Sequence, residues 1–113
     1  MPHCVIDFSA NVVGADIASR LTQACHGAML SSGLFEPASV KTRAHLAQSA
    51  LTGEGNDSFI HVTIAIMPGR SSEKKHALME AMVYAIAKAG ISASSLTLEV
   101  RELDKANYVK KLA

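Results

Sequence analysis

A chain of 113 residues, 49% apolar and 19% charged, is long enough to bury a core of its own and too apolar to be disordered. A formal net charge of +1, 4% aromatic residues and no tryptophan exclude the basic footprint and stacking platforms of a nucleic-acid binder. No apolar run approaches the roughly 18 residues that span a bilayer, no secretory leader is evident, and Cys4 and Cys25 have neither a zinc spacing nor the density of a disulfide scaffold. The expectation is a reduced, cytoplasmic protein with no membrane or nucleic-acid partner.

Residues 3–8, HCVIDF, alternate: Cys4, Ile6 and Phe8 share one face, and His3, Val5 and Asp7 the other, as in a short strand. SANVVGAD carries turn signals. Apolar residues then recur at helical spacing at Ile17, Leu21, Ala24 or Cys25, Ala28 and Met29. Asp16 suits an N-cap or first-turn position and Gly33 a C-cap, so a helix is expected over 16–32. Residues 39–46, SVKTRAHL, alternate again, with Val40, Thr42, Ala44 and Leu46 opposite Lys41, Arg43 and His45. LTGEGND at 51–57 is a loop, and SFIHVTIAIM at 58–67 is the clearest strand, with Ile60, Val62, Ile64 and Ile66 on one face. PGRSS turns into a second helix over about 72–89, whose stripe is Leu78, Ala81, Met82, Ala85, Ile86 and Ala89, and Gly90 ends it. Residues 95–103 form the last strand, with Leu96, Leu98 and Val100 inward; Tyr108 and Val109 are docking points in the polar tail.

The order is β-α-β twice, in halves of about 1–53 and 58–113, and an offset of about 57 residues sets Gly33 against Gly90 and His3 near His61. Crossover connections make the strands of each unit parallel. The expected fold is an α/β (α+β) domain spanning 1–113: a tandem βαβ repeat with a four-stranded mixed sheet and both helices on one face. The other face would display His3, Val5, Asp7, Lys41, Arg43, His45, Phe59, His61, Thr63, Ala65, Thr97, Glu99 and Arg101. Sheets with parallel pairs rarely leave a face to water, so this face is expected to be buried against other copies of the chain.

Four groups of residues can carry chemistry. Methionine before proline is normally trimmed, which would make Pro2 a terminal secondary amine; burial or a nearby cation favours its neutral, basic form. The simpler alternative is a proline opening an edge strand, where a missing N–H costs nothing. Arg70 lies in the turn at the amino end of the second helix, where orphan N–H groups and the dipole attract anions and an arginine can grip a carboxylate. The alternative there is an exposed loop arginine with Ser71 as a cap. Lys41 and Arg43, two residues apart on one strand face, can clamp an anion or pair with Asp7, Glu99 or Glu102. His3, His26, His45, His61 and His76 lack a metal-ligand spacing, although His3, His45 and His61 can approach one another across strands. Cys4 and Cys25 read as small buried hydrophobes, and Met67, Met79 and Met82 as core filling.

Three segments, MPHCVIDFSAN, SVKTRAH and FIHVTIAIMPGRSSEKK, resemble 5-carboxymethyl-2-hydroxymuconate isomerases. These belong to the tautomerase superfamily, with 4-oxalocrotonate tautomerase and macrophage migration inhibitory factor. The resemblance runs over nearly the whole chain in order and spacing. It implies a homotrimer and a cofactor-free, metal-free 1,3-proton shift on an unsaturated 2-hydroxy or 2-oxo dicarboxylate in aromatic-compound catabolism. By motif, Pro2 takes the role of base, Arg70 of anion binding and Arg43 of help at the substrate's acidic end, with Lys41 and Ser71 as further substrate contacts. Lys41 stands where the pattern carries another arginine, and AHLAQ lacks the aromatic residue expected after the middle strand's histidine; both bear on pocket shape and substrate. Alternatives on the same scaffold are a phenylpyruvate-type tautomerase, a hydratase or dehalogenase, and a non-catalytic trimeric binding protein.

Overall fold

In the computed structural model, which describes all of Met1–Ala113, the elements follow as β1 (His3–Ser9), α1 (Ile17–Ser31), β2 (Lys41–Ala47), β3 (Phe59–Ile66), α2 (Ser72–Lys88) and β4 (Ser95–Glu102). Short 3-10 turns occupy Pro37–Ser39 and Lys105–Asn107. The sheet order is β2-β1-β3-β4. Each outer pair is parallel, as the two βαβ crossovers require, and the central pair β1/β3 is antiparallel. The result is the mixed four-stranded sheet with two helices expected from the repeat.

The central antiparallel pair positions the site. His3 lies opposite Ala65 and Phe8 opposite Ile60, so the start of β1 meets the end of β3. The carbonyl of Pro2 accepts from the Lys41 N–H at 3.0 Å, which extends the β1/β2 ladder by one residue towards the amino terminus.

The alternating residues Cys4, Ile6 and Phe8 of β1 and Ile60, Val62, Ile64 and Ile66 of β3 are buried against the helices. α1 contributes Ile17, Leu21, Cys25, Ala28 and Met29, so Cys25 and not Ala24 completes its stripe. α2 contributes Leu78, Met82 and Ile86; Ala85 and Ala89 pack at the margin and Ala81 is exposed, which narrows the expected stripe. Cys4 and Cys25 are free and fully buried, as small hydrophobes. Their mutual hydrogen bond and their burial push the Cys25 thiol well above its ordinary pKa.

Several local expectations shift. Asp16 takes the expected N-cap position of α1 but at φ 53°, and its side chain caps no N–H group. Gly33, at φ 70°, lies one residue beyond the cap position, which Ser32 takes. β2 starts at Lys41 because Pro37 fixes a helical turn over Pro37–Ser39. Leu46 is half exposed, at the end of the edge strand beyond its core neighbours.

The strand register places all thirteen residues expected on the second sheet face on that face. Their contacts differ from those expected. His3, His45 and His61 make no hydrogen bond to one another; His3 and His61 bond elsewhere. The His61 ring bonds to Thr97 Oγ1 and Glu99 Oε2, both at 2.7 Å, and Arg101 donates to Glu99 Oε1 at 2.8 Å. The bonds from Arg101 and His61 hold the Glu99 carboxyl at about 2. Glu102 pairs with Lys75 at 3.5 Å. Neither Lys41 nor Arg43 therefore pairs with an acid: Lys41 Nζ donates to the Ala38 and Ser39 carbonyls, and Arg43 to His3.

Candidate active site

A cavity of about 210 Å³ opens where β1 begins and β3 ends, lined by Met1, Pro2, Phe35, Glu36, Ser39, Ile66, Met67 and Arg70. Three segments supply it. Pro2 is buried at the head of β1. Phe35, Glu36 and Ser39 come from the connection between α1 and β2, which Pro37 makes compact. Ile66, Met67 and Arg70 come from the end of β3 and its turn into α2. Met67, expected in the core, lines this cavity instead.

Arg70 is half-buried and tightly held. Its Nη2 donates to the Leu34 carbonyl at 2.8 Å and its Nη1 to the Met67 carbonyl at 3.3 Å. The guanidinium also lies over the Phe35 ring, 4.9 Å from its centroid. No carboxylate comes within ion-pair distance of it. A partly desolvated cation with no internal counter-ion attracts an external anion. Ser71 accepts from the Lys74 N–H at 3.2 Å and so caps α2.

The amino terminus is electropositive. Burial first, then the charges of Lys110, Arg70 and Lys41, hold the Met1 amine below its ordinary value. His3 is also held below its ordinary value, by burial first and then by Arg43, the terminal amine and Lys41. Arg43 Nη1 donates to His3 Nδ1 at 3.3 Å. An arginine cannot accept a hydrogen bond, so the neutral His3 ring carries its proton on Nε2 and donates it to the Tyr108 hydroxyl at 2.9 Å. Tyr108 thus docks the tail against the start of β1, while Val109 is 90% exposed.

Of the sequence candidates, the structure brings Pro2 and Arg70 into one cavity, with Ser71 next to Arg70 along the chain. Lys41 and Arg43 do not line it; they stand on the open sheet face beside His3. Phe35 and Glu36 were not singled out in the sequence. The available signal was an aromatic residue between the helix-ending Gly33 and Pro37, a position where a buried core side chain is not expected.

The family model for 5-carboxymethyl-2-hydroxymuconate isomerase matches residues 2–113. The chain belongs to this isomerase family. It is a tautomerase-type isomerase, and its fold is that of the tautomerase superfamily. A 5-carboxymethyl-2-hydroxymuconate isomerase from Deinococcus radiodurans R1 superposes with a TM-score of 0.81 at 24% identity, over 97% of this chain and 88% of that one. A 5-carboxymethyl-2-hydroxymuconate delta-isomerase gives 0.79 at 19% identity, over 100% and 89%. A fused 4-OT described as a wild-type symmetric trimer gives 0.77 at 20% identity, over 94% and 89%. No curated protein sequence matches the chain. No helix is long and apolar enough to cross a membrane.

Proposed function

We propose that this isomerase catalyses a 1,3-proton shift on an unsaturated 2-hydroxy or 2-oxo dicarboxylate of the 5-carboxymethyl-2-hydroxymuconate type, with Pro2 as the base. The observation that carries the reading is that Pro2 and the unpaired cation Arg70 line the same cavity. Its setting is aromatic-compound catabolism, in the cytoplasm, as a homotrimer of one-domain copies that bury the helix-free sheet face. The mixed polar character of that face favours the trimer, and the two free, buried cysteines fit a reducing compartment.

With Met1 removed, the Pro2 nitrogen becomes a secondary amine. The burial and the cations that depress the Met1 amine favour a neutral Pro2 for the same reason. Arg70 binds one substrate carboxylate; Lys41 or Arg43, both outside this cavity within one copy, meets the other acidic end across a subunit boundary of the trimer. Pro2 takes a proton from the enol oxygen or from the carbon next to the carbonyl. Negative charge then spreads along the dienolate, where fixed cations stabilise it. The prolinium returns the proton to a different carbon, so the amine is regenerated and no cofactor is consumed.

Arg70→Ala tests the carboxylate clamp. It should lower kcat/KM about 100-fold for a 2-hydroxymuconate dienol and less than about tenfold for phenylenolpyruvate, a monoacid. Equal losses on the two substrates would contradict a clamp on the carboxylate that only the dicarboxylate carries.

A further inference from the structure

We infer that Phe35 is a positioning residue for Arg70: its ring fixes the plane of the guanidinium so that the free N–H edge keeps one bearing towards a bound carboxylate. The inference rests on the proposed carboxylate-binding role of this cavity and adds a residue to it.

Arg70 has five N–H donors, and backbone carbonyls take two of them. Those carbonyls belong to different segments, Leu34 before β2 and Met67 after β3, so the guanidinium bridges the two walls of the cavity. Two in-plane bonds fix where the group sits but leave it free to tilt about the line joining the two acceptors. A ring face against which the guanidinium carbon rests restricts that tilt. Phe35 stands there, with its centroid 4.9 Å from the guanidinium carbon, and it lines the same cavity. The ring is itself held, packed as a partly buried side chain against the core.

This contact also leaves the guanidinium its charge. A carboxylate in the place of Phe35 would orient Arg70 equally well but would neutralise it, and an anionic substrate would then compete with an internal partner. An aromatic face orients a cation through its quadrupole without occupying an N–H donor. Glu36, the next residue, lines the cavity without pairing with Arg70, so Arg70 keeps its free donors.

The test is a double-mutant cycle read by calorimetric titration with cis,cis-muconate, a dicarboxylate without the reactive enol. Phe35→Leu should weaken binding about tenfold and Phe35→Tyr, which keeps the ring, less than about twofold. On an Arg70→Ala background, Phe35→Leu should cost nothing further, because the group it orients is gone. Thermal unfolding accompanies each variant, and the cycle uses only those that fold; Phe35→Met replaces Phe35→Leu if that variant fails to fold. Unchanged binding by Phe35→Leu, the same tenfold loss on both backgrounds, or no binding of muconate by the wild type would each overturn the inference. Turnover by the wild type with Phe35-independent binding sinks this inference alone. Phe35-dependent muconate binding without turnover of any dienol sinks the catalytic reading and leaves the inference standing.

Discussion

The turn between β1 and α1, Gly14-Ala15-Asp16, and the turn between β3 and α2, Gly69-Arg70-Ser71, both open on a glycine at positive φ, 135° and 122°, and both lead straight into a helix. Because β1 and β3 are antiparallel, the two turns lie at opposite ends of the sheet. At the first end, an added Cβ on Gly14 would meet Ile17 Cδ1 at 2.9 Å and Arg20 Nη1 at 3.2 Å; on Gly69 it would meet nothing within 4 Å. The hollow at the Ser9 end measures about 140 Å³ and is lined by Ser9, Asn11, Gln48, Asn56, Asp57 and small neighbours, with no cation. The hollow at the Pro2 end measures about 210 Å³ and holds Arg70. One repeated unit has thus been used in two ways. The first copy of the turn is packed against its own helix; the second is left open, with its arginine lining the same hollow as the chain terminus.

The contrast can be broken most severely at the glycines. Gly14→Ala should lower unfolding free energy by about 2 kcal/mol, from backbone strain plus displacement of the Ile17 and Arg20 side-chain tips. Gly69→Ala, with strain alone, should cost about 1 kcal/mol. Urea titrations of the two variants measure the difference, and equal losses would mean that the first turn is no tighter than the second. A smaller effect separates the caps. Ser71→Ala should cost about 1 kcal/mol, because its oxygen accepts from Lys74 N–H, whereas Asp16→Ala should cost almost nothing. Asp16→Gly should stabilise by about 0.5 kcal/mol, because glycine accepts φ 53° without strain. A large loss in Asp16→Ala would show that its carboxylate caps α1 in solution.

The smallest effect is in pH. The folded chain holds His3 below its ordinary value, so as pH falls below about 6.5 the unfolded chain takes up the proton first. Stability therefore falls with pH from about 6.5 down to the folded value, and protonation at Nδ1 breaks the contact with Arg43. Thermal unfolding between pH 7 and 5 should show a smaller decline for His3→Gln than for the wild type. An identical decline in the two proteins would remove His3 as its source.

Much of the fold was legible in the sequence because alternation and helical spacing are local signals. The faces of β1 and β3 and the Leu78, Met82 and Ile86 stripe follow from residues a few positions apart, and the repeat that implies two parallel pairs follows from the order of the elements so read. What joins Pro2 to Arg70 is not local. It is the antiparallel register of β1 on β3, which sets His3 against Ala65, and no turn or spacing in the chain encodes it. Only the resemblance to the isomerase family put those two residues together in advance. Asp16 holds the N-cap position that its residue type suggests, but its left-handed backbone turns the side chain away from the helix N–H groups, which residue type does not reveal. Phe35 stayed hidden because its role lies in the face it offers to a distant arginine, which residue type alone does not reveal.

The most direct test of the account is the ketonisation of a 2-hydroxymuconate dienol by the wild type and by Pro2→Ala, with intact mass confirming that Met1 has been removed from both. The account predicts rapid turnover by the wild type and a fall in kcat of about 1000-fold or more in a variant that folds and assembles like it. Comparable turnover by the two proteins would show that the terminal amine of Pro2 is not the base.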